Sequence, residues 1–191
     1  MILQQLQKDA DRLVGDLPPS MYDWKPVRWV VHLDRQGQCL GIERMSGGGK
    51  KDPGKSMRVP FKNRTGTLAP PILLADKRSF TWGQPKEPAD AARAKVEHRR
   101  YLDLLERCVA ETGDPDVATI ARFLCSWDSQ ITPLPDDLQA DDRTTFAVEG
   151  TYPIDSPAVR AFWAGEAGDR RTDGTAGQCL VCGQHTQVAV S

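Results

Sequence analysis

The sequence predicts an α+β fold: a small, mostly antiparallel sheet with a pair of helices packed on one side. Three observations carry that expectation. Val27-Arg28-Trp29-Val30-Val31-His32-Leu33 alternates, with Val27, Trp29, Val31 and Leu33 on one face, as a half-buried strand does. Asp34-Arg35-Gln36-Gly37 then makes a turn and Cys39-Leu40-Gly41-Ile42-Glu43 returns, so Val27–Arg44 reads as a hairpin. Further on, Ala94, His98, Tyr101, Leu105, Cys108 and Val109 form one helical stripe, and Val117, Ile120, Ala121 and Leu124 repeat the spacing in the next segment. A chain of 191 residues is long enough for one domain with a real core.

Taken in order, Leu3, Leu6, Ala10, Leu13 and Val14 mark an amphipathic first helix stopped by Gly15, and Leu17-Pro18-Pro19 is a linker. The hairpin follows. Ser56–Phe61 has the composition of a strand. Ile72-Leu73-Leu74-Ala75 is a short apolar run after Pro70-Pro71, Asp76-Lys77-Arg78 reads as a turn, and Ser79-Phe80-Thr81-Trp82 as another short strand. Gln84–Ala89, with two prolines, links to the helix Asp90–Glu111, which Gly113 ends. Asp114 is an N-cap with Pro115 at the first helical position. Ile131–Asp142 is an acidic, proline-bearing loop, and Thr144, Phe146 and Val148 alternate as a strand. Ser156-Pro157 opens a short helix carrying Val159, Phe162 and Trp163. The polar, glycine-bearing Asp169–Gly177 reads as a mobile loop. Cys179–Gly183 and Gln187–Val190 read as the strands of a tight hairpin. The organisation is one domain, 1–191, with a sheet-rich part (1–89) that carries a basic arm (46–66), a helical part (90–142), and return strands with a hairpin (143–191). The chain stops at Ser191 without a closing element, which reads as the N-terminal domain of a longer protein.

The net charge is −1, with 27% charged and 39% hydrophobic residues, so the composition is that of a soluble globular protein. The charge is unevenly distributed. From Leu102 to Gly150 there are eleven acidic residues against three basic ones. From Gly49 to Arg64 there are six cations (Lys50, Lys51, Lys55, Arg58, Lys62, Arg64) against the single anion Asp52. Gly47-Gly48-Gly49 cannot hold a helix or a packed strand, because glycine loses the most backbone freedom on ordering. The stretch is therefore expected to be a flexible, basic arm carried by the hairpin. A local basic arm on a neutral-to-acidic body points to a polyanion met at one place, and nucleic acid is the commonest. Lys50, Lys51 and Lys55 are expected to grip phosphates, with Arg58 and Lys62 continuing that track. Asn63, Arg64 and Thr65 are expected near base edges, where Asn and Arg can make paired hydrogen bonds. A solvated, functionless loop is the plain alternative.

Five cysteines at scattered positions suit a reducing compartment, no export signal is present, and no run approaches the ~20 apolar residues of a membrane span. A cytoplasmic protein with no membrane partner is expected. Cys179 and Cys182, with His185, resemble half a zinc site but lack a fourth ligand, so no metal and no cofactor is expected. Gly49–Ser56 matches G-x-x-x-x-G-K-S, the phosphate-loop pattern. Its context is wrong, since Pro60 stands where a helix would have to follow. Neither His32 nor His98 has a carboxylate at a telling spacing, and no enzymatic activity is expected.

Short blocks along the whole chain resemble the start of the large subunit of type I-C CRISPR surveillance complexes. They are Met1–Leu6, Lys25–Asp34, Gly37–Gly41, Val59-Pro60, Arg64-Thr65-Gly66 with Pro70-Pro71, Phe80–Gly83, Phe162-Trp163 and Gly177–Gly183. This chain departs from the family pattern at Cys182, where Thr is common, and in lacking the family's helical C-terminal part. The resemblance implies a subunit of an RNA-guided antiviral complex. Its partners would be double-stranded DNA, the guide RNA with its backbone and 5′-handle-binding subunits, and a recruited helicase-nuclease. The implied task is to recognise the protospacer-adjacent motif and help open the duplex, while base pairing reads the target. Two other readings stand beside it: nucleotide hydrolysis by the Gly49–Ser56 loop, and a scaffold that binds the guide RNA handle and neighbouring subunits.

Overall fold

The computed structural model describes residues 21–47, 52–64 and 69–168, with the backbone of 176–178 and 185–187. The strands are β1 Tyr22–Val27, β2 Trp29–Leu33, β3 Cys39–Arg44, β4 Lys55–Pro60, β5 Ala75–Lys77, β6 Arg143–Val148, β7 Ala176–Gln178 and β8 His185–Gln187. The helices are α1 Arg78–Trp82, α2 Ala91–Thr112, α3 Pro115–Ser126 and α4 Pro157–Gly168. The expected first helix, Leu3 to Val14, lies outside the described residues.

The fold is α+β, as the sequence predicts. The main sheet runs β3-β2-β6-β5. β2 and β3 form the antiparallel hairpin, with Trp29 opposite Arg44, and β5 runs antiparallel to β6. The β2–β6 pair is parallel, Trp29 opposite Thr144. β6 is therefore a central strand. It is buried at every residue from Thr144 to Val148, not on one face only as the alternation suggested. Helices α1 and α3 lie against it, and so does β1. Tyr101, Leu104 and Leu105 of α2, Ile120 and Leu124 of α3, and Trp163 of α4 share one core with Val31, Leu33 and Phe146.

Three further expectations are corrected. Val27 ends β1 and does not open the hairpin. The chain breaks at Arg28, whose amide donates to Arg143 O at 3.0 Å and whose guanidinium meets Asp142. Asp76 and Lys77 belong to β5, and Ser79–Trp82 is helical, not a strand. Phe80, Thr81 and Trp82 are buried in succession, and four residues hold too few repeats to separate a period of 2 from one of 3.6. Gly83, at φ +64°, closes that helix, and Trp82 stacks edge-on against Phe123. At the C-terminal end, β7 and β8 pair antiparallel at 176–178 and 185–187, and the expected strands Cys179–Gly183 and Gln187–Val190, apart from Gln187, lie outside the described residues. Cys179 and Cys182 fall outside the described residues.

The helix boundaries follow their signals. Asp114 accepts from the amides of Asp116 at 3.0 Å and Val117 at 3.1 Å, satisfying two of the donors a helix start leaves open. His98 is half-buried, with Nδ1 2.8 Å from Phe80 O. Cys108, fully buried on α2, has its thiol pushed up to about 12 by burial, whereas Cys125 on α3 is exposed. Since the thiolate is the nucleophile, iodoacetamide at about pH 8 should label Cys125 in the folded protein and spare Cys108 until denaturant is added. Peptide mass mapping checks this; equal labelling of both would mean that α2 opens in the native state.

Candidate nucleic-acid interface

The basic stretch leaves β3, but it does not return to the hairpin. β4 pairs antiparallel with β1, from Tyr22 opposite Pro60 to Val27 opposite Lys55, in a separate two-stranded ribbon. The arm thus joins the main sheet to this ribbon: it leaves the hairpin as expected, and the strand that anchors its far end pairs with β1. The physical cause lies at the neck. Asp52 Oδ1 accepts from the amides of Gly47 at 2.7 Å and Gly54 at 3.0 Å. A Cβ on Gly47 would stand 2.1 Å from Gly54 O. Gly54, at φ +102°, would bring a Cβ to 2.2 Å from Val27 O. Only glycine allows the two legs of the arm to approach each other, and the second leg to cross the β1–β2 junction.

Asp52 is the one acid of the stretch, and its charge is used on those two amides. They hold its carboxyl below the usual range. A lowered folded-state pKa means the clamp is at full strength above the ordinary carboxylate value of 3.8 and is lost as pH falls through the lowered one. At neutral pH the neck is closed.

The expected contact residues divide into three groups. Lys55 is exposed at the start of β4, and Asn63 is exposed beyond its end. Arg58 lies in mid-strand opposite Trp24, its guanidinium carbon 5.6 Å from the indole ring. Lys62 and Arg64 turn inward. Lys62 Nζ donates to Glu166 O on α4 at 3.0 Å. Arg64 donates to Asp76, and its guanidinium sits 4.4 Å from the Phe80 ring. Lys50, Lys51 and Thr65 lie outside the described residues.

Asp76 was missed by sequence reasoning. It is fully buried, and its carboxylate accepts from Arg64, from Ile72 N at 2.7 Å and from Lys77 N at 2.7 Å. Burial pushes its carboxyl up; Arg64 is the chief opposing influence, helped by the two amides. The same contacts pin the Ile72–Asp76 turn, in which Leu74 takes the left-handed φ of +54° and gives its carbonyl to Thr145 Oγ1. The chain beyond β4 is thus tied by Arg64 to the main sheet. A cleft of about 360 Å³ opens beside this pair, lined by Arg64, Lys77, Lys86 and Arg93 but also by Asp90, Glu97 and Asp141. Its charges nearly balance, so it has no particular attraction for a polyanion.

Gly54 leads into a strand, not a helix, because Lys55–Pro60 pairs with β1. The phosphate-loop pattern at Gly49–Ser56 therefore lacks the helix N-terminus whose amides and dipole would hold a phosphate. Among the described residues no group of three or more His, Cys, Asp or Glu is placed to hold a metal ion, and no helix is long and apolar enough to cross a membrane.

Fold and site define an α+β domain that presents a glycine-necked basic stretch from a two-stranded ribbon. The family model described as CRISPR-associated protein (Cas_Csd1) matches residues 2–191. The chain belongs to that family, the large subunits of type I-C CRISPR surveillance complexes. A search of curated proteins finds no match.

Proposed function

We propose that this chain is the part of the large subunit that contacts double-stranded DNA beside the target, recognises the protospacer-adjacent motif and assists duplex opening. The observation that carries the reading is the ribbon. Its neck ties the only acid of the basic stretch to two backbone amides, and on the ribbon beside it the exposed Lys55 and the half-buried Arg58 form a local cationic surface. Lys50, Lys51 and Lys55 neutralise phosphates and Arg58 extends the track, whereas Lys62, expected to continue it, is turned to Glu166 O on α4. Asn63 and Thr65 approach base edges. Arg64, held by Asp76, positions that segment and does not itself reach a base. The chain works in a cytoplasmic complex with the guide RNA and its handle-binding and backbone subunits. It performs no chemistry itself and leaves cleavage to a recruited helicase-nuclease.

Asn63→Ala should cost about 1–3 kcal/mol on duplex bearing the correct flanking motif and little on a scrambled flank. Equilibrium binding to both duplexes checks this, and an equal loss on the two would assign Asn63 to phosphate contact. Handle RNA that displaces the duplex would favour the scaffold reading. Steady-state ATP turnover abolished by Lys55→Ala would favour the nucleotide-hydrolysing one.

A further inference from the structure

The β1–β4 ribbon carries an exposed aromatic residue, paired with Arg58, that the reading above does not use. Trp24 is 51% exposed, while Trp29, Trp82 and Trp163 are buried to within 3%. The register sets Trp24 directly opposite Arg58, and the guanidinium carbon lies 5.6 Å from the ring centroid. Alternation along the strands places Trp24, Pro26, Ser56 and Arg58 on one face. The side chains of Asp23 and Lys25 project to the other, where they pair with each other and Lys25 covers the Phe61 ring at 4.3 Å. Neither strand contributes an acid to the Trp24 face. A large flat π surface is thus held open to solvent on a rigid ribbon, backed by a fixed cation and continuous with the basic neck.

From this arrangement we infer that Trp24 and Arg58 form a stacking platform for an unpaired nucleobase, with Arg58 also meeting the adjoining phosphate. Aromatic faces accept any base, because every base has a π face, and a neighbouring guanidinium adds charge attraction to the stack. A protein partner would also value an exposed Trp–Arg pair. The acid-free face beside a cationic neck favours the polyanion. The inference rests on the DNA-contacting reading and gives it a place where a base released from the duplex edge is held.

The test titrates the 191-residue chain with a blunt duplex and with the same duplex carrying an unpaired thymidine tail. The wild type should prefer the tailed duplex on the order of tenfold, and the tail should quench the emission of the exposed tryptophan. Trp24→Ala should lose both the preference and that quenching while binding the blunt duplex as before. Trp24→Phe should keep most of the preference, which separates stacking from a structural role, and unchanged thermal melting shows that the variants fold. A Trp24→Ala protein that retains the tail preference overturns the platform. A wild type that binds the blunt duplex without any tail preference also overturns it and leaves the DNA-contacting reading standing. A wild type that binds neither duplex takes both down.

Discussion

Arg64→Met should lower folding stability at neutral pH by about 3–5 kcal/mol, the cost of leaving a buried carboxylate without its counter-charge. Asp76 has no solvent exposure, and among the described residues Arg64 is the one cation in direct contact with it. The two amides of Ile72 and Lys77 remain, but they cannot balance a full charge. The loss should shrink on acidification. Burial already raises the Asp76 carboxyl, and removing Arg64 deletes the chief influence holding it down. A group whose folded-state pKa lies above its unfolded value contributes stability that is complete below the unfolded value, 3.8 here, and lost as pH rises through the folded one. Urea titrations of the variant should therefore show higher stability at about pH 5 than at neutrality, with a steeper pH dependence than in the wild type. The double variant Arg64→Met, Asp76→Asn should recover part of the deficit, because it removes the unpaired charge as well as the pair. An Arg64→Met protein as stable as the wild type, or one whose deficit ignores pH, would mean that the pair is not closed in solution.

The same residue shows where the sequence is legible and where it is not. Arg64 stands in a polar cluster after a basic strand, and local composition offers no reason to separate it from Asn63. Its commitment is made by Asp76, twelve positions on, in a segment whose own pattern suggested a turn. The pairing is a tertiary fact: it exists only once β5 joins the edge of β6 and the chain after β4 passes over it. The two long helices could be read because their stripes repeat over three turns or more and their caps are chemical signals, Gly113 and Asp114 among them. The hairpin was legible for a similar reason, a turn between alternating runs. β4 was legible as a strand but not in its partner, since nothing local distinguishes β1 from β3 as its neighbour. That choice is made by Gly54, which alone permits the close crossing at Val27 and Arg28. Ser79–Trp82 failed for want of length. Within the proposed interface, the cation density of the stretch was evident from the start. Its neck was not, because nothing in the local sequence shows that Asp52 clamps two backbone amides.

From Gly49 to Arg64 six cations stand against the single charge of Asp52, and the second large effect follows from that excess. Lys50, Lys51 and Lys55 replaced together by Ala should weaken binding to every duplex, whatever its flank, because lysine neutralises phosphate without reading sequence. The log–log salt slope should fall by about 0.9 for each lost contact, so the gap between wild type and triple variant should narrow about fortyfold between ~50 and ~200 mM salt. That signature separates counterion release from misfolding, which would lower affinity without such a salt dependence. Lys55 is exposed at the start of β4 and is no part of the core that Val27 and Val59 join, and thermal melting of the variant should be unchanged. Asp52→Asn offers a control of opposite logic. It raises the local positive charge, which favours a polyanion, yet weakens the acceptor that draws Gly47 and Gly54 together. Tighter duplex binding with a steeper salt slope would say that charge alone governs the arm. Weaker binding at an unchanged slope would say that the closed neck is what presents it. Affinity and slope that stay at wild-type values in the triple lysine variant would remove the arm from the DNA contact altogether.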